Sequence, residues 1–518
     1  MKKFYKLFLG LIFILALATR FYEFKDSTYF GYDQAKDAFE SQDIYLNKNI
    51  KIQGLPATGN MGIFHGPLHW YITGPIYLLF KGDPYGVSAF FRIANAAGVF
   101  LIYFIGSLLL NKGSGLIAAF IYAVSFEETQ YSYYVGNPSL ATIFIPLIYL
   151  GAVLLTKKIK NKNLPLILMF GGAAAATQLN LMYAYNFAVV ITLLRLLRNH
   201  IVDIKLKNWV IGVGVSLTLL STYVIAEIKY NFREIKTVYK LLNTGFGVMS
   251  PGQNKYLLYW DKFITMFKDN FFGIYENDLL ITTTSIVLMI WVIYMATKKE
   301  NYRILAVWIF SWVFLMLFGG HTGYYTNAGI GGGIILGVTS LILSIRKPVG
   351  KFLVAVTLSF ILLSNIKKIN IQAPKSLITE MITQTGMKLS DENKIIDQMY
   401  SEANGRGFTV RATSVPYKIQ TVWAYLFNQY ALPKYGYLPF WENGNALGFP
   451  GKLPVPTKGT TCLRFLLREP TKGLPGFLIE LDEKEENKFS KITHKREIAD
   501  FLLESRISTD KICHNDRP

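Results

Sequence analysis

Long apolar runs recur along the first seven-tenths of the chain, and short polar stretches separate them. A run of about 17–20 apolar residues is long enough to cross a hydrocarbon layer as a helix. The pattern therefore predicts an α-helical polytopic membrane protein with about eleven transmembrane helices. The predicted spans are residues 4–20, 87–110, 114–126, 139–155, 164–182, 184–198, 209–227, 278–296, 304–319, 325–344 and 352–365.

The first apolar run follows a basic tip, in "MKKFYKLFLGLIFILALATRFYEF", as the apolar run of a secretory signal peptide does. A small-x-small cleavage site does not clearly follow, because aromatic and charged residues take over at Arg20. We therefore interpret residues 4–20 as a retained first span.

Basic residues concentrate in loops that a simple alternating count places on one side of the membrane. These loops are residues 156–163, 195–208, 298–303 and 345–351. Short cytoplasmic loops carry an excess of Lys and Arg. The N-terminus is therefore predicted on the inner side of the cytoplasmic membrane and the C-terminus on its outer side. The longer segments at residues 21–86, 228–277 and 366–518 then lie outside.

The first external segment has a helical pattern of its own. From Asp33 onward, apolar residues recur near helical spacing with acids between them, which predicts an amphipathic helix on the membrane surface. A second interfacial element is predicted in "GPLHWYITGPIYLLF" (66–80), where Pro67 and Pro75 argue against a straight crossing helix.

The tail from residue 366 is richer in charge, and Gly and Pro punctuate residues 434–456 as turns and short strands. We predict a mixed α/β extracytoplasmic domain over 366–518, following a membrane domain over 1–365. Its strand candidates are "GFTVRAT" (407–413) and "CLRFLLRE" (462–469). Cys462 and Cys513 both lie in this tail, and either a disulfide or two free thiols fits the sequence.

Composition narrows the class of protein. The chain is 51% hydrophobic and only 17% charged, whereas about 25% is typical of soluble domains. A net charge of +20 would suggest nucleic acid in a soluble protein. Here the positive-inside bias accounts better for the basic loops, so we expect no nucleic-acid partner.

Several motifs in order along the chain resemble one family. They are "RFY…YFGYDQAKDAFE…GIFHGPLHWYITGPIYLLFKGDP…YSYYVGNPSLATIFIPLIYL", with a weaker match at "AEIKYNF" (226–232). This series is similar to the GT-C superfamily of integral-membrane glycosyltransferases. The most similar branch holds the protein O-mannosyltransferases and the aminoarabinose transferases of lipid A, with their glycosyltransferase family 39-like relatives.

The resemblance implies a sugar donor on a polyprenyl phosphate and an acceptor hydroxyl at the outer membrane face. The acceptor would be a glycolipid, a glycan or a protein. The family's acidic general base in the first external loop falls on Asp33, and such a carboxylate can take the acceptor proton as oxygen attacks the anomeric carbon. The alternative is that Asp33 caps its helix. We expect Asp37 to be a supporting or a surface acid, and Tyr32 to be a supporting group.

The leaving polyprenyl phosphate gains negative charge, so cations or donors are needed near it. The outer-side candidates are Lys36, His65, Lys229, Arg233 and His321. We favour Lys229 and His65, which lie in the motifs that carry the resemblance. A histidine hydrogen-bonded at a turn before Pro67 is an equal alternative for His65.

Asn137 and Glu227 complete the candidate donor-binding set. In "VGNPS" the structural interpretation is that Asn137 caps a helix and Pro138 takes its first position, and a sugar contact is the alternative. Glu227 ends a span, either as a site residue or as the partner of Lys229.

We expect no cofactor and favour no essential metal, since the sequence has no dense carboxylate cluster. A divalent metal stays the alternative, for which folding would have to bring Asp33, Asp37 and Glu227 together. Two rival functions remain. One is a lipid or sugar transporter or flippase, but such proteins tend to show repeated halves and charges near mid-membrane, which this chain lacks. The other is a scaffold or sensor that acts through its tail.

Overall fold

The chain is mostly helical in this computed structural model, which describes residues 2–57, 62–157, 159–244, 254–317, 324–345, 349–373, 384–442, 454, 461–471 and 474–517. The helices up to residue 201 are α1 (Lys2–Arg20), α2 (Tyr32–Leu46), α3 (Leu68–Leu79), α4 (Pro84–Ala96), α5 (Gly98–Leu109), α6 (Lys112–Val124), α7 (Phe126–Tyr133), α8 (Asn137–Leu155), α9 (Asn163–Leu166), α10 (Gly172–Leu179), α11 (Tyr185–Leu196) and α12 (Arg198–Ile201). Those that follow are α13 (Leu206–Lys229), α14 (Arg233–Thr244), α15 (Lys255–Phe271), α16 (Asp278–Lys298), α17 (Glu300–Ile309), α18 (Ser311–Leu317), α19 (Gly331–Leu343), α20 (Val349–Gln372), α21 (Leu389–Ala403), α22 (Thr421–Leu426), α23 (Leu432–Tyr435) and α24 (Gly476–Glu486).

Polar side chains at the N-termini show why several helices begin where they do. Asn111 accepts a hydrogen bond from the backbone of Ser114 at 3.0 Å before α6, and Asn277 accepts one from Leu280 at 3.0 Å before α16. Each bond satisfies an amide that has no partner inside its helix.

The number and length of its apolar helices identify the protein as a multi-pass membrane protein. Five are long and apolar enough to cross a membrane within the described residues: Pro84–Leu109, Asn137–Leu155, Leu206–Lys229, Asp278–Lys298 and Gly350–Gln372. Shorter apolar helices are Lys112–Val124, Asn163–Leu179, Leu181–Leu196 and Gly331–Leu343. The predicted apolar segments thus coincide with helices, while the count of eleven spans stays a prediction.

Small residues let some membrane helices pack closely. A Cβ added at Gly115 of α6 would lie 2.7 Å from the backbone oxygen of Tyr103 in α5. Between α8 and α17, the rings of Tyr149 and Trp308 stack with their centroids 4.3 Å apart. Close backbone approach and stacked aromatics are how helices associate without a hydrophobic driving force between them.

The chain forms two compact units. The first comprises residues 1–22, 50–71 and 89–371, and the second comprises residues 23–49, 72–88 and 372–518. The domain boundary placed at residue 365 by composition stays a prediction. An unforeseen feature is that two stretches of the first 90 residues fold with the tail.

The second unit contains a five-stranded sheet in the order β2-β1-β3-β5-β4. The strands are β1 (Phe408–Thr413), β2 (Phe440–Trp441), β3 (Leu463–Arg468), β4 (Ser490–Ile498) and β5 (Phe501–Ser508). β1 runs parallel to β2 and β3, whereas β5 runs antiparallel to β3 and β4. Both strand candidates of the sequence are confirmed as β1 and β3. A disulfide joins Cys462 to Cys513, which decides between the two alternatives left open above.

Within the same unit, the residues before α2 pair with the residues before α21. The Phe30 amide donates to the Met387 carbonyl at 3.1 Å, and the Leu389 amide donates to the Thr28 carbonyl at 3.0 Å. These bonds attach the start of α2 to a segment more than three hundred residues further along the chain.

Candidate functional site

Asp33 occupies the first turn of α2 and is not its cap. The N-cap residue is Gly31, whose amide donates to Gln34 Oε1 at 3.3 Å. The capping alternative for Asp33 is therefore wrong, because the helix already begins at Tyr32. The negative charge still lies where the helix dipole favours it.

The surroundings of Asp33 tune its protonation. Its side chain is accessible to solvent but densely surrounded by protein atoms. This desolvation, followed by repulsion from Asp37, raises the pKa of Asp33 to about 6, and Lys36 opposes the rise. Burial and the Asp33 charge likewise raise the pKa of Tyr32. A base with a pKa near the working pH is efficient in proton transfer.

The body of α2 is held by Tyr425 of α22, within the second unit. The Tyr425 hydroxyl donates to the Gly82 carbonyl at 2.5 Å and accepts from Gln42 Nε2 at 3.0 Å. Its ring packs against Phe39 and Phe30, with centroids 4.9 and 5.4 Å away. The amphipathic helix is confirmed, but part of the side predicted to face lipid contacts protein.

Asp37 is buried in α2, which fits a supporting group and excludes a surface acid. Helix α3 approaches α2 closely at Gly74, where an added Cβ would lie 2.5 Å from the Ser41 backbone oxygen. The second predicted element, 66–80, is thus confirmed as a helix containing Pro75. Together these contacts fix the orientation of the helix that carries Asp33.

His65 lies in a short two-stranded turn of the first unit. Its amide donates to the Leu55 carbonyl at 2.8 Å, and its carbonyl accepts from the Gly54 amide at 2.7 Å. The Leu181 amide donates to His65 Nδ1 at 3.2 Å. A neutral ring held in this way carries its proton on Nε2, which is the donor needed for a phosphate or sugar oxygen.

Lys229 is the last residue of α13 and is exposed, with its Nζ 5.5 Å from the centroid of the Tyr230 ring. Glu227 does not pair with it in the described part of the chain. Its carboxylate accepts from the Glu234 amide at 3.1 Å and the Ile235 amide at 3.4 Å, and so caps α14. The partnership with Lys229 is therefore wrong, because Glu227 caps the next helix; a donor-binding role for Glu227 stays a prediction.

The cap of α8 is shifted by one residue from the prediction. Gly136 is the N-cap, so Asn137 is the first helical residue and Pro138 follows it. Asn137 Oδ1 is buried without a hydrogen-bond partner among the described residues. A sugar contact by Asn137 stays a prediction, and His321 lies outside the described residues.

Sequence reasoning missed a buried polar cluster in the first unit, around Glu127 and Glu128 of α7. Glu128 Oε2 accepts from Asn95 at 3.3 Å, and Asn95 accepts from Arg20 at 3.0 Å. One oxygen of Glu127 has no partner among the described residues. The sequence signal for this cluster is a pair of acids at the end of an apolar run. The preceding Ser125 suggests an ordinary helix N-cap instead, and the structure shows that Ser125 does cap α7.

An ion pair joins Asp269 and Lys368 in the same unit, and Gln130 donates to Asp269 at 3.1 Å. These groups lie near helix ends, where a buried charge needs a partner. Across the residues that the structure describes, no group of three or more His, Cys, Asp or Glu side chains is arranged to hold a metal ion. Metal dependence stays a prediction.

The fold matches solved membrane-protein structures. ArnT from Cupriavidus metallidurans bound to undecaprenyl phosphate aligns with a TM-score of 0.61 at 8% identity, over 96% of this chain and 98% of ArnT. ArnT in the apo state aligns with a TM-score of 0.57 at 8% identity, over 97% of this chain and 98% of ArnT. An oligosaccharyltransferase from Archaeoglobus fulgidus gives 0.45 at 10% identity, over 79% of this chain and 63% of that one.

The likeness to ArnT confirms the fold that the resemblance implies. No family model matches the sequence, and no curated protein matches it.

Proposed function

We propose that this protein is a membrane glycosyltransferase that moves a sugar from a polyprenyl phosphate to an acceptor hydroxyl at the outer membrane face. One observation carries the proposal: nearly the whole chain aligns with nearly the whole of ArnT, a structure bound to undecaprenyl phosphate. The acceptor is a glycolipid, a glycan or a protein.

Asp33 is the general base of the proposed reaction. Its carboxylate takes the proton of the acceptor hydroxyl while the hydroxyl oxygen forms a bond to the anomeric carbon. The bond from that carbon to the phosphate oxygen breaks, and polyprenyl phosphate leaves with the electron pair. A single displacement of this kind inverts the configuration at the sugar. A reachable carboxylate with a pKa of about 6 is ionised at neutral pH and suits this role.

Positive charge and hydrogen-bond donors stabilise the leaving phosphate in the proposal. Lys36 lies one turn after Asp33 on α2 and adds a cation on the same helix. His65 contributes the Nε2 proton, and Lys229 contributes an exposed ammonium group. Asn137 and His321 keep their proposed donor-binding roles, and Asp37 and Tyr32 support α2. Glu227 caps α14 and keeps its proposed donor-binding role.

We place the enzyme in the cytoplasmic membrane with its N-terminus inside and residues 366–518 outside. The basic loops support this orientation. The Cys462–Cys513 disulfide supports it independently, because disulfides persist in oxidising compartments and are rare in the cytosol.

The test is Asp33→Asn in the full-length protein, which removes the base but keeps the size of the side chain. We expect transfer to fall by at least about 100-fold, the usual contribution of general-base catalysis. Binding of a polyprenyl phosphate should be retained. The matched control is Glu40→Gln, which neutralises an acid two turns further along α2 and should keep most of the activity.

Mass spectrometry of surface glycans in cells carrying either variant gives the readout. Unchanged glycans with Asp33→Asn would remove Asp33 as the base. Glycans that do not change when the whole protein is deleted would remove the transferase function itself.

A further inference from the structure

Helix α14 differs from an ordinary helix in water at its acid and at two of its apolar residues. Its acid, Glu234, is buried, and the Glu234 carboxylate accepts hydrogen bonds from Gln53 and from the Phe64 amide. Its apolar residues Ile235 and Tyr239 are 57% and 69% exposed. An acid turned inward and apolar side chains turned outward are typical of a helix whose outer face meets lipid.

A row of cations lies beside the apolar row on the same helix. The cationic row is spaced by three and then four residues and consists of Arg233, Lys236 and Lys240. The apolar row has the same spacing, one position nearer the N-terminus, and consists of Phe232, Ile235 and Tyr239. Residues at such spacings share a face, so the two rows run next to each other along the helix. Phe232 is also 52% exposed.

The cationic row lines an open groove of about 400 Å³, which we call the α14 groove. Its lining residues are Tyr230, Asn231, Arg233, Lys236, Thr237 and Lys240. None of these described residues is acidic. Two carboxylates lie close by in sequence: Glu227 accepts from the backbone of α14, and Glu234 accepts from Gln53 and from the Phe64 amide. The groove therefore presents positive charge without a carboxylate in its lining.

The turn before α14 holds the groove in shape. Asn231 and Phe232 both have φ in the left-handed region, at 55° and 57°. For Phe this conformation costs about 1–2 kcal/mol. It is fixed by the Phe232 amide donating to the Glu227 carbonyl at 2.7 Å, and Lys236 Nζ donates to the Asn231 carbonyl at 2.9 Å. Strain that the surroundings maintain in this way often marks a ligand-binding segment.

The groove is placed at membrane level by its connection to α13. This helix is one of the five long enough to span the membrane, and it ends at Lys229, four residues before α14 begins. Four residues reach at most about 14 Å, so α14 starts within the headgroup region. There, basic residues attract anionic lipid headgroups and aromatic residues favour the interface.

We propose that the α14 groove binds the phosphate of an anionic phospholipid headgroup, with Phe232, Ile235 and Tyr239 resting in the acyl boundary beside it. The ligand is a bulk membrane lipid with two acyl chains. Its binding is separate from the proposed transfer reaction and does not depend on Asp33.

The experiment measures which lipids stay bound to the detergent-purified full-length protein in native mass spectrometry, after equal exposure to phosphatidylglycerol and phosphatidylcholine. The protein should retain phosphatidylglycerol preferentially. The double variant Lys236→Gln, Lys240→Gln should lose roughly 10- to 30-fold of that preference, since each basic residue near a membrane surface contributes about fivefold.

The matched control is Lys491→Gln with Lys511→Gln, two exposed lysines of the C-terminal part that remove the same charge. It should retain the preference, and so should Asp33→Asn. Glycerol phosphate at the same concentration tests whether a free phosphate is enough, and it should not displace the lipid.

Three results would overturn the proposal: equal retention of the two lipids by the unaltered protein, an unchanged preference in the α14 double variant, or displacement of the lipid by glycerol phosphate. Loss of transfer with an intact lipid preference would bear on the proposed function alone.

Discussion

Helices α2 and α14 are both amphipathic and both lie outside the long spanning helices, but their exposed faces differ. In α2 the alanines Ala35 and Ala38 are buried, and the helix exposes the Asp33 carboxylate. In α14 the acid Glu234 is buried, and apolar and cationic residues are exposed. The first arrangement presents a reactive group on a fixed support, and the second presents a surface for lipid.

The difference shows that helical periodicity locates a face but does not say what covers it. Both helices have an apolar stripe at helical spacing. Protein covers Ala35, Ala38 and Ile44 in the stripe of α2. The apolar row of α14 remains exposed within the described residues. We therefore expect a change that destabilises α2 to leave hydrogen exchange in α14 unaltered. A change that destabilises α14 should likewise leave exchange in α2 unaltered.

The largest expected effect comes from Tyr425→Ala. It removes the ring that packs on Phe39 and Phe30 and both hydrogen bonds of the hydroxyl. We expect a loss of about 3–5 kcal/mol in the free energy of unfolding of the second unit, as for other buried aromatic truncations. Hydrogen exchange should increase in residues 32–46 and stay the same in residues 233–244.

Tyr425→Phe is the conservative control. It keeps the ring contacts and loses only the two hydrogen bonds, so we expect a smaller loss of about 1–2 kcal/mol. Equal exchange in α2 for the Ala variant and the unaltered protein would contradict the view that α22 holds α2.

The pH dependence of transfer tests the local charges on α2. Because Asp33 must be ionised to accept a proton, transfer should fall about tenfold for each pH unit below its pKa of about 6. Asp37→Asn removes a repulsive charge and should move this acid limb to lower pH. Lys36→Met removes an attractive charge and should move it to higher pH.

The measurement is kcat/KM against pH for the three proteins. Because the two substitutions have opposite expected signs, a general loss of stability cannot imitate the result. A limb that stays in place in both variants would exclude Asp33 as the group that titrates.

Much of the fold could be predicted from sequence because span length and hydrophobicity are local properties. The helices α8 and α16 lie close to the predicted spans 139–155 and 278–296 for this reason. Strands β1 and β3 were predicted as short stretches rich in apolar residues, in a tail that Gly and Pro punctuate with turns. The disulfide could not be decided, since its two cysteines are 51 residues apart and pairing depends on the sheet.

The candidate site was predicted less completely, because the contacts that define it are distant in sequence. Tyr425 is 383 residues from its partner Gln42, and the sequence around either residue does not indicate that they are in contact. Glu128 and Asn95 likewise meet only in the folded first unit. By contrast, Asp33 and Lys36 are one turn apart on one helix, so their proximity followed from the sequence alone.

The smallest expected effect comes from Glu227→Ala, which tests the α14 side of the comparison. The carboxylate accepts two amides of the first turn of α14, and its loss leaves both without that partner. Removing a helix cap costs about 1 kcal/mol, so hydrogen exchange in residues 233–244 should accelerate roughly fivefold. Exchange in residues 32–46 should not change. Glu227→Gln keeps one acceptor oxygen and should have an intermediate effect.

If α14 were held mainly by a salt bridge to Lys229 instead, Lys229→Met would accelerate exchange as much as Glu227→Ala does. We expect Lys229→Met to leave it unchanged, because the helix depends on the capping carboxylate.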